Sequence, residues 1–200
     1  MIARRFDPLP LGLALLALGL GVAIVTFASM TADDVSYART RWTALLAMGL
    51  AAPAIVLGML GQAPGPWWRS FWTAGLLAYL LHFWWAVFRS YHGDFAAIAE
   101  RQGWNAYTNY LATALWTLDV ALAWLPLRPG WGVTAVRVLN WLLITASFIV
   151  ASAIFRSWPD SIPGWALGAL VVLTGAARIC GFFRTAAVRA PAGQSPRSAG

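Results

Sequence analysis

The sequence predicts an all-α, polytopic membrane protein, a bundle of about six transmembrane helices. Two observations lead to this fold class. Hydrophobic residues make up 60% of the 200 residues and charged residues only 10%, whereas a soluble domain carries about 25% charged residues. The apolar residues also form continuous runs of about 20 residues, the length that a helix needs to cross a bilayer core of roughly 30 Å. Because backbone amides in hydrocarbon need internal partners and the runs do not alternate as strands do, the runs predict helices.

The apolar runs define one predicted transmembrane domain, residues 1–189. The predicted spans are 11–30, 43–62, 71–90, 105–125, 133–155 and 164–183. Pro53 lies inside the second span and predicts a kink there. The first run follows Arg4 and Arg5, as in a signal peptide, but it is too long and lacks a clean cleavage site, so we expect it to be retained. The small and polar segment 190–200 is expected to be a disordered tail.

Arginine predicts the orientation, because the chain contains no lysine. With the N-terminus inside, nine arginines lie on or toward the inner side and five on the outer side. The positive-inside rule therefore favours two cytoplasmic termini, which agrees with an even number of spans. The formal net charge of +7 is explained by attraction of arginines to anionic lipid headgroups, so the expected partner is the lipid bilayer and not nucleic acid. The expected location is the bacterial cytoplasmic (inner) membrane.

Most of the 13 tryptophans lie near the predicted span ends, which is typical of the aromatic belts of membrane proteins. Trp67, Trp68 and Trp72 are expected at the inner interface, and Trp116 deeper, between helices. The longest external loop, residues 91–104, is predicted to contain a short helix on the outer surface, with an aspartate as its N-cap and a glycine at its end.

Three polar residues are predicted at one depth in the inner half of the membrane: Asp119, Asn140 and Arg178. At ~1.5 Å per residue they lie roughly 5 to 7 Å inward of the midplane, on the fourth, fifth and sixth spans. A guanidinium presents a planar fork that matches a carboxylate, so the three groups can satisfy one another. This layer is either an anion, lipid-headgroup or proton site, or a buried pair of Asp119 and Arg178 that specifies helix packing. The balanced charge favours the packing role.

A second polar layer lies nearer the outer side and contains His82, with Thr113 and Ser147 at similar depth. A hydroxyl partner would satisfy a neutral imidazole, but an intramembrane histidine is also a candidate ligand or proton site. Haem on His82 is disfavoured, because the other histidine of the chain, His92, is too far along to be the second axial ligand. His92 and Asp94 are weak candidates for a metal site, since H-G-D is not a known metal signature. No cofactor is assigned.

No sequence motif assigns an activity. The chain carries no P-loop, dinucleotide fingerprint, HExxH motif or pair of catalytic carboxylates. Small size and short loops favour a non-catalytic subunit, anchor or assembly factor of a membrane complex, with other membrane subunits as partners. The alternative is a small autonomous transporter or intramembrane enzyme that uses the layer of Asp119, Asn140 and Arg178 together with His82. Whether the chain is an enzyme therefore stays open, and the two classes differ in whether these polar groups line a pocket or are sealed between helices.

Overall fold

The computed structural model describes residues 7–126, 130–154 and 156–189, with side chains up to Gly181. These residues form seven α-helices and no strand: α1 (Pro8–Ser29), α2 (Val35–Met59), α3 (Pro66–Trp84), α4 (Phe95–Gln102), α5 (Trp104–Trp124), α6 (Trp131–Ile149) and α7 (Ile162–Arg189). The helices α3 and α6 continue into π-helical segments, Trp85–Ser90 and Val150–Ile154. The predicted all-helical class is confirmed for the described residues, and the predicted tail, 190–200, lies outside them.

Five helices are long and apolar enough to cross a membrane. They are Pro8–Ser29, Val35–Met59, Pro66–Ser90, Trp131–Ile154 and Ile162–Gly181. The fourth predicted span corresponds to α5, which is 21 residues long. It does not reach the same apolarity because its first half carries Asn105, Thr108 and Asn109.

The helices begin at capping residues and not at the first residue of an apolar run. Helix α2 begins before the predicted start at residue 43, because the Asp34 carboxylate accepts a hydrogen bond from the backbone N–H of Tyr37 at 2.9 Å. Helix α3 begins at Pro66, a first-turn position where the missing N–H of proline removes no helical hydrogen bond. Apolarity therefore locates the part of a helix that lies in the membrane, and caps locate its ends.

The buried core comes mainly from α2 and α3, and α3 packs closely against Ala51 of α2 and Trp116 of α5. Gly75 of α3 allows this close approach, because a Cβ added there would lie 3.0 Å from the Cβ of Ala51 and 3.1 Å from the ring of Trp116. By contrast, a Cβ added at Gly49 of α2 would meet nothing within 4 Å. Pro53 lies inside α2, which continues past it as one helix to Met59, and the predicted kink stays a prediction.

Two of the tryptophans assigned to the inner interface lie in this core instead. Trp68 and Trp72 are 1% and 0% exposed, and their rings are stacked at 5.6 Å. The interfacial assignment is wrong for both, because they lie on the face of α3 that contacts the other helices. Trp67 is 44% exposed, as a belt residue should be. Trp116 is fully buried, as predicted, and its ring lies 4.8 Å from that of Trp72.

The short helix predicted in the loop 91–104 is confirmed as α4. The Asp94 carboxylate accepts a hydrogen bond from the backbone N–H of Ala97 at 2.9 Å, so Asp94 is the N-cap. Gly103 ends the helix with a positive φ of 54°, a conformation that glycine adopts without strain. Ile98 is 4% exposed and anchors α4 against the neighbouring helices.

Candidate functional site: a buried carboxylate and two cavities

Asp119 of α5 is the centre of a hydrogen-bond network that joins three helices. Its side chain is fully buried. One carboxylate oxygen, Oδ2, accepts from Nε1 of Trp72 on α3 at 2.9 Å and from Nδ2 of Asn140 on α6 at 3.2 Å. The other, Oδ1, accepts from Nε of Arg137 on α6 at 3.2 Å. Three donors, one of them a guanidinium, therefore satisfy both oxygens of this carboxylate away from water.

The structure brings together two of the three residues predicted for the inner layer. Asp119 and Asn140 are bonded, but the guanidinium beside the carboxylate belongs to Arg137 and not to Arg178. The side chains of Arg137 and Asp119 are 13% and 0% exposed, so this ion pair is largely buried. Arg178 is exposed, and its Nη1 donates to the backbone carbonyl of Met59 at the end of α2.

Sequence reasoning missed Arg137 and Trp72 as partners of Asp119. The signal for Arg137 was present: it lies three residues before Asn140, which places both side chains on one face of a helix. The orientation rule uses Arg137 only as one of the arginines on or toward the inner side, so it is not considered there as a partner of Asp119. Trp72 gave no comparable signal, because a tryptophan near a span end also suits the interface.

Both arginines line a cavity of about 360 Å³ at the end of the bundle where α2 ends and α3 begins. Its lining residues are Gly58, Met59, Ala63, Trp68, Arg137, Val138, Trp141 and Arg178. The walls are mostly apolar, and the charged groups among them are two guanidinium groups. We name this space the inner cavity, because this end of the bundle faces the cytoplasm in the orientation that the arginines predict.

A second cavity, of about 410 Å³, lies at the opposite end of α3 and contains His82 in its wall. We name it the outer cavity. Tyr79, Tyr110 and Arg101 of α4 also line it. The Nδ1 atom of His82 lies 2.7 Å from the backbone carbonyl of Thr40. A carbonyl only accepts, so Nδ1 carries a proton, and in the neutral tautomer this leaves Nε2 as the acceptor.

The hydroxyl residues predicted near His82 are not its partners. Within the described residues, Thr113 donates to the backbone carbonyl of Asn109 at 2.7 Å, and Ser147 lies on α6 without a hydrogen bond to the imidazole. Tyr110, by contrast, lines the outer cavity and has a buried hydroxyl that no described group pairs.

The residues considered for a metal site have other roles. Asp94 caps α4, and His92 is an exposed residue with a positive φ of 54°. Asp160 forms an ion pair with Arg41, which ties the segment before α7 to α2. Among the described residues no group of three or more His, Cys, Asp or Glu side chains is placed to hold a metal ion.

The chain matches no protein-family model, no curated protein and no solved structure. Its function is therefore inferred from the geometry of its polar groups alone.

Proposed function

We propose that this chain is a non-catalytic integral membrane protein, a subunit, anchor or assembly factor of a larger membrane complex. The observation that supports this proposal is that Asp119 is buried and fully hydrogen-bonded between helices. A catalytic or transporting carboxylate needs access to substrate or water. Asp119 is fully buried and its two oxygens are occupied by three donors, so its role is to fix how α3, α5 and α6 pack.

We further propose six membrane-spanning helices with both termini in the cytoplasm of a bacterium. Helix α5 runs antiparallel to α3 and meets it at three levels. Tyr79 contacts Asn109, Trp72 bonds Asp119, and further along Nε1 of Trp124 donates to the hydroxyl of Thr73 at 2.9 Å. If α3 crosses the bilayer, α5 crosses it at the same depth. Reporter fusions test this topology: alkaline phosphatase, which is active outside, and green fluorescent protein, which fluoresces inside, are joined to each terminus. Two cytoplasmic termini are expected, and termini on opposite sides would contradict the six-span arrangement.

Native mass spectrometry of the protein extracted from its own membranes in mild detergent tests the subunit proposal. A stoichiometric assembly with the same partner chains in independent preparations is expected. The control is Arg89→Gln, which removes an exposed arginine outside the buried network and should leave the assembly unchanged. A chain that appears without partner chains in independent preparations would contradict the proposal, whether or not it retains a lipid.

One observation favours a second candidate, a small autonomous transporter or intramembrane enzyme. The imidazole of His82 lines the outer cavity with an acceptor nitrogen, and an unpaired Tyr110 hydroxyl lines the same space. Such a site would take a small molecule with both a donor and an acceptor. If native mass spectrometry finds an added mass on the lone chain, this candidate requires that His82→Ala removes it and that Arg178→Gln does not.

A further inference from the structure

The inner cavity contains hydrogen-bond donors in excess of acceptors. Arg137 uses Nε for Asp119, and its terminal nitrogens keep their own N–H groups, since a guanidinium carries five. Arg178 has one hydrogen bond among the described residues, to the Met59 carbonyl. An arginine has no acceptor atom, so neither can satisfy the other. A ligand for this space must therefore bring oxygens.

Trp68 contributes to the wall of the inner cavity another hydrogen-bond donor that no described residue pairs. Its side chain is 1% exposed, it lines the inner cavity, and its Nε1 donor has no partner among the described residues. A buried unpaired donor costs about 1 to 3 kcal/mol, so it is expected to have a partner in the working protein. Gly58 leaves room for one, because a Cβ added there would lie 3.4 Å from this Nε1.

The charge of the cavity is not balanced within the described residues. Arg137 is neutralised by Asp119 and lies with its guanidinium carbon 5.1 Å from the centre of the Trp68 ring. Arg178 has no carboxylate within salt-bridge distance among these residues, although it lies in the apolar helix Ile162–Gly181. A cation exposed on a membrane helix needs an anion or water at that depth. The inner cavity therefore has room, one uncompensated positive charge and several free donors.

We propose that the inner cavity binds a phosphate group, held by Arg178, the terminal nitrogens of Arg137 and the Nε1 of Trp68. Phosphate combines negative charge with several acceptor oxygens, which is what these donors lack. The apolar remainder of the wall, which includes the half-exposed Val138, suits the glycerol and acyl part of a phospholipid. The expected source is the phosphodiester of an anionic lipid, since basic pockets between helices on the cytoplasmic side bind such headgroups.

The test uses the purified full chain, stripped of lipid in detergent, and native mass spectrometry. Three probes are added separately: phosphatidylglycerol, diacylglycerol, which has the same chains without the phosphate, and inorganic phosphate. Phosphatidylglycerol should be retained and diacylglycerol should not. Arg178→Gln should weaken retention roughly tenfold or more, because it removes a charge-assisted donor.

Trp68→Phe is the second variant, and it guards against misfolding. It removes the unpaired N–H together with the five-membered ring that carries it, and it keeps a six-membered ring against Trp72 and Arg137. Retention should fall several-fold, while the lipid-free protein should lose no more stability than the control variant below, which has the same loss of volume. The matched control is Trp116→Phe, which also removes a buried and unpaired indole N–H, but one outside the lining of the inner cavity. It should leave lipid retention unchanged.

The outcomes distinguish a lipid headgroup from a free phosphate ion, and they can also refute the proposed phosphate site. Retention of phosphatidylglycerol that depends on both Arg178 and Trp68 supports a lipid headgroup. Stabilisation by inorganic phosphate with the same dependence, without lipid retention, supports a free anion. Equal retention of diacylglycerol, or lipid and phosphate binding that neither variant weakens, would show that the inner cavity does not recognise phosphate.

Discussion

Replacement of Asp119 by asparagine should cost the folded protein about 3 kcal/mol or more, the range found when one partner of a buried ion pair is removed. The amide has one acceptor oxygen, whereas donors approach both carboxylate oxygens. If that oxygen faces Arg137, the new NH₂ group opposes the N–H of Trp72. Asn140 can rotate and accept from the new NH₂, because its Oδ1 has no partner among the described residues. One donor therefore loses its acceptor in either orientation, and Arg137 loses its counter-charge.

The assay is the free energy of unfolding in mixed micelles for the single and double variants of Asp119→Asn, Arg137→Gln and Arg178→Gln. The structure predicts a coupling of about 2 kcal/mol between Asp119 and Arg137, because the double variant removes both charges. The cycle between Asp119 and Arg178 is the matched control and should be additive within about 0.5 kcal/mol. Stronger coupling of Asp119 to Arg178 than to Arg137 would refute the network and restore the pair that depth alone predicted.

Three further predictions concern packing, capping and the inner cavity. Gly75→Ala should lower the free energy of unfolding by about 1 to 3 kcal/mol, because its Cβ would overpack a tight helix contact. Gly49→Ala is the control and should cause no such loss, because its Cβ meets open space. Thermal unfolding measures both variants, and equal effects would contradict the close approach of the helices at Gly75. Asp94→Ala should destabilise α4 by about 1 kcal/mol, and hydrogen exchange should then rise in α4 alone; a global rise would contradict a local cap. Gly58→Ala should raise the free energy of unfolding by up to about 1 kcal/mol, because alanine has the higher helix propensity. It should also weaken phosphatidylglycerol retention, because its Cβ would fill space in front of Trp68. Unchanged retention would contradict the proposed ligand position.

The sequence predicts the fold class and the local helix signals well, because these depend on short-range physical rules. Long apolar runs require helices in a bilayer, and Asp94 with Gly103 defines a short helix from its own neighbours. The same local reasoning missed the true start of α2, because a cap such as Asp34 lies outside the apolar run. The candidate sites depend on which helices are neighbours, and depth along a span does not give that information.

Arg137 and Arg178 show what depth along a span cannot predict, namely which arginine pairs with Asp119. Both line the same cavity, and either one suits Asp119 by charge. What decides between them is rotation about the helix axis: Arg137 shares a face of α6 with Asn140 and points at α5, whereas Arg178 of α7 reaches the end of α2. Rotation follows from tertiary packing, such as the contact that Gly75 permits, and a single sequence contains no direct signal for it.

The polar groups of the membrane region fall into two sets with different consequences. Asp119, Asn140 and Trp72 are buried and bonded to one another, so changes to them act through the packing of the bundle. His82 and Arg178 line cavities, so changes to them can alter what binds without breaking that network. A variant of the first set that loses activity therefore says little about mechanism, because it also loses the fold. A variant of the second set that changes a bound mass at unchanged stability identifies a ligand site directly.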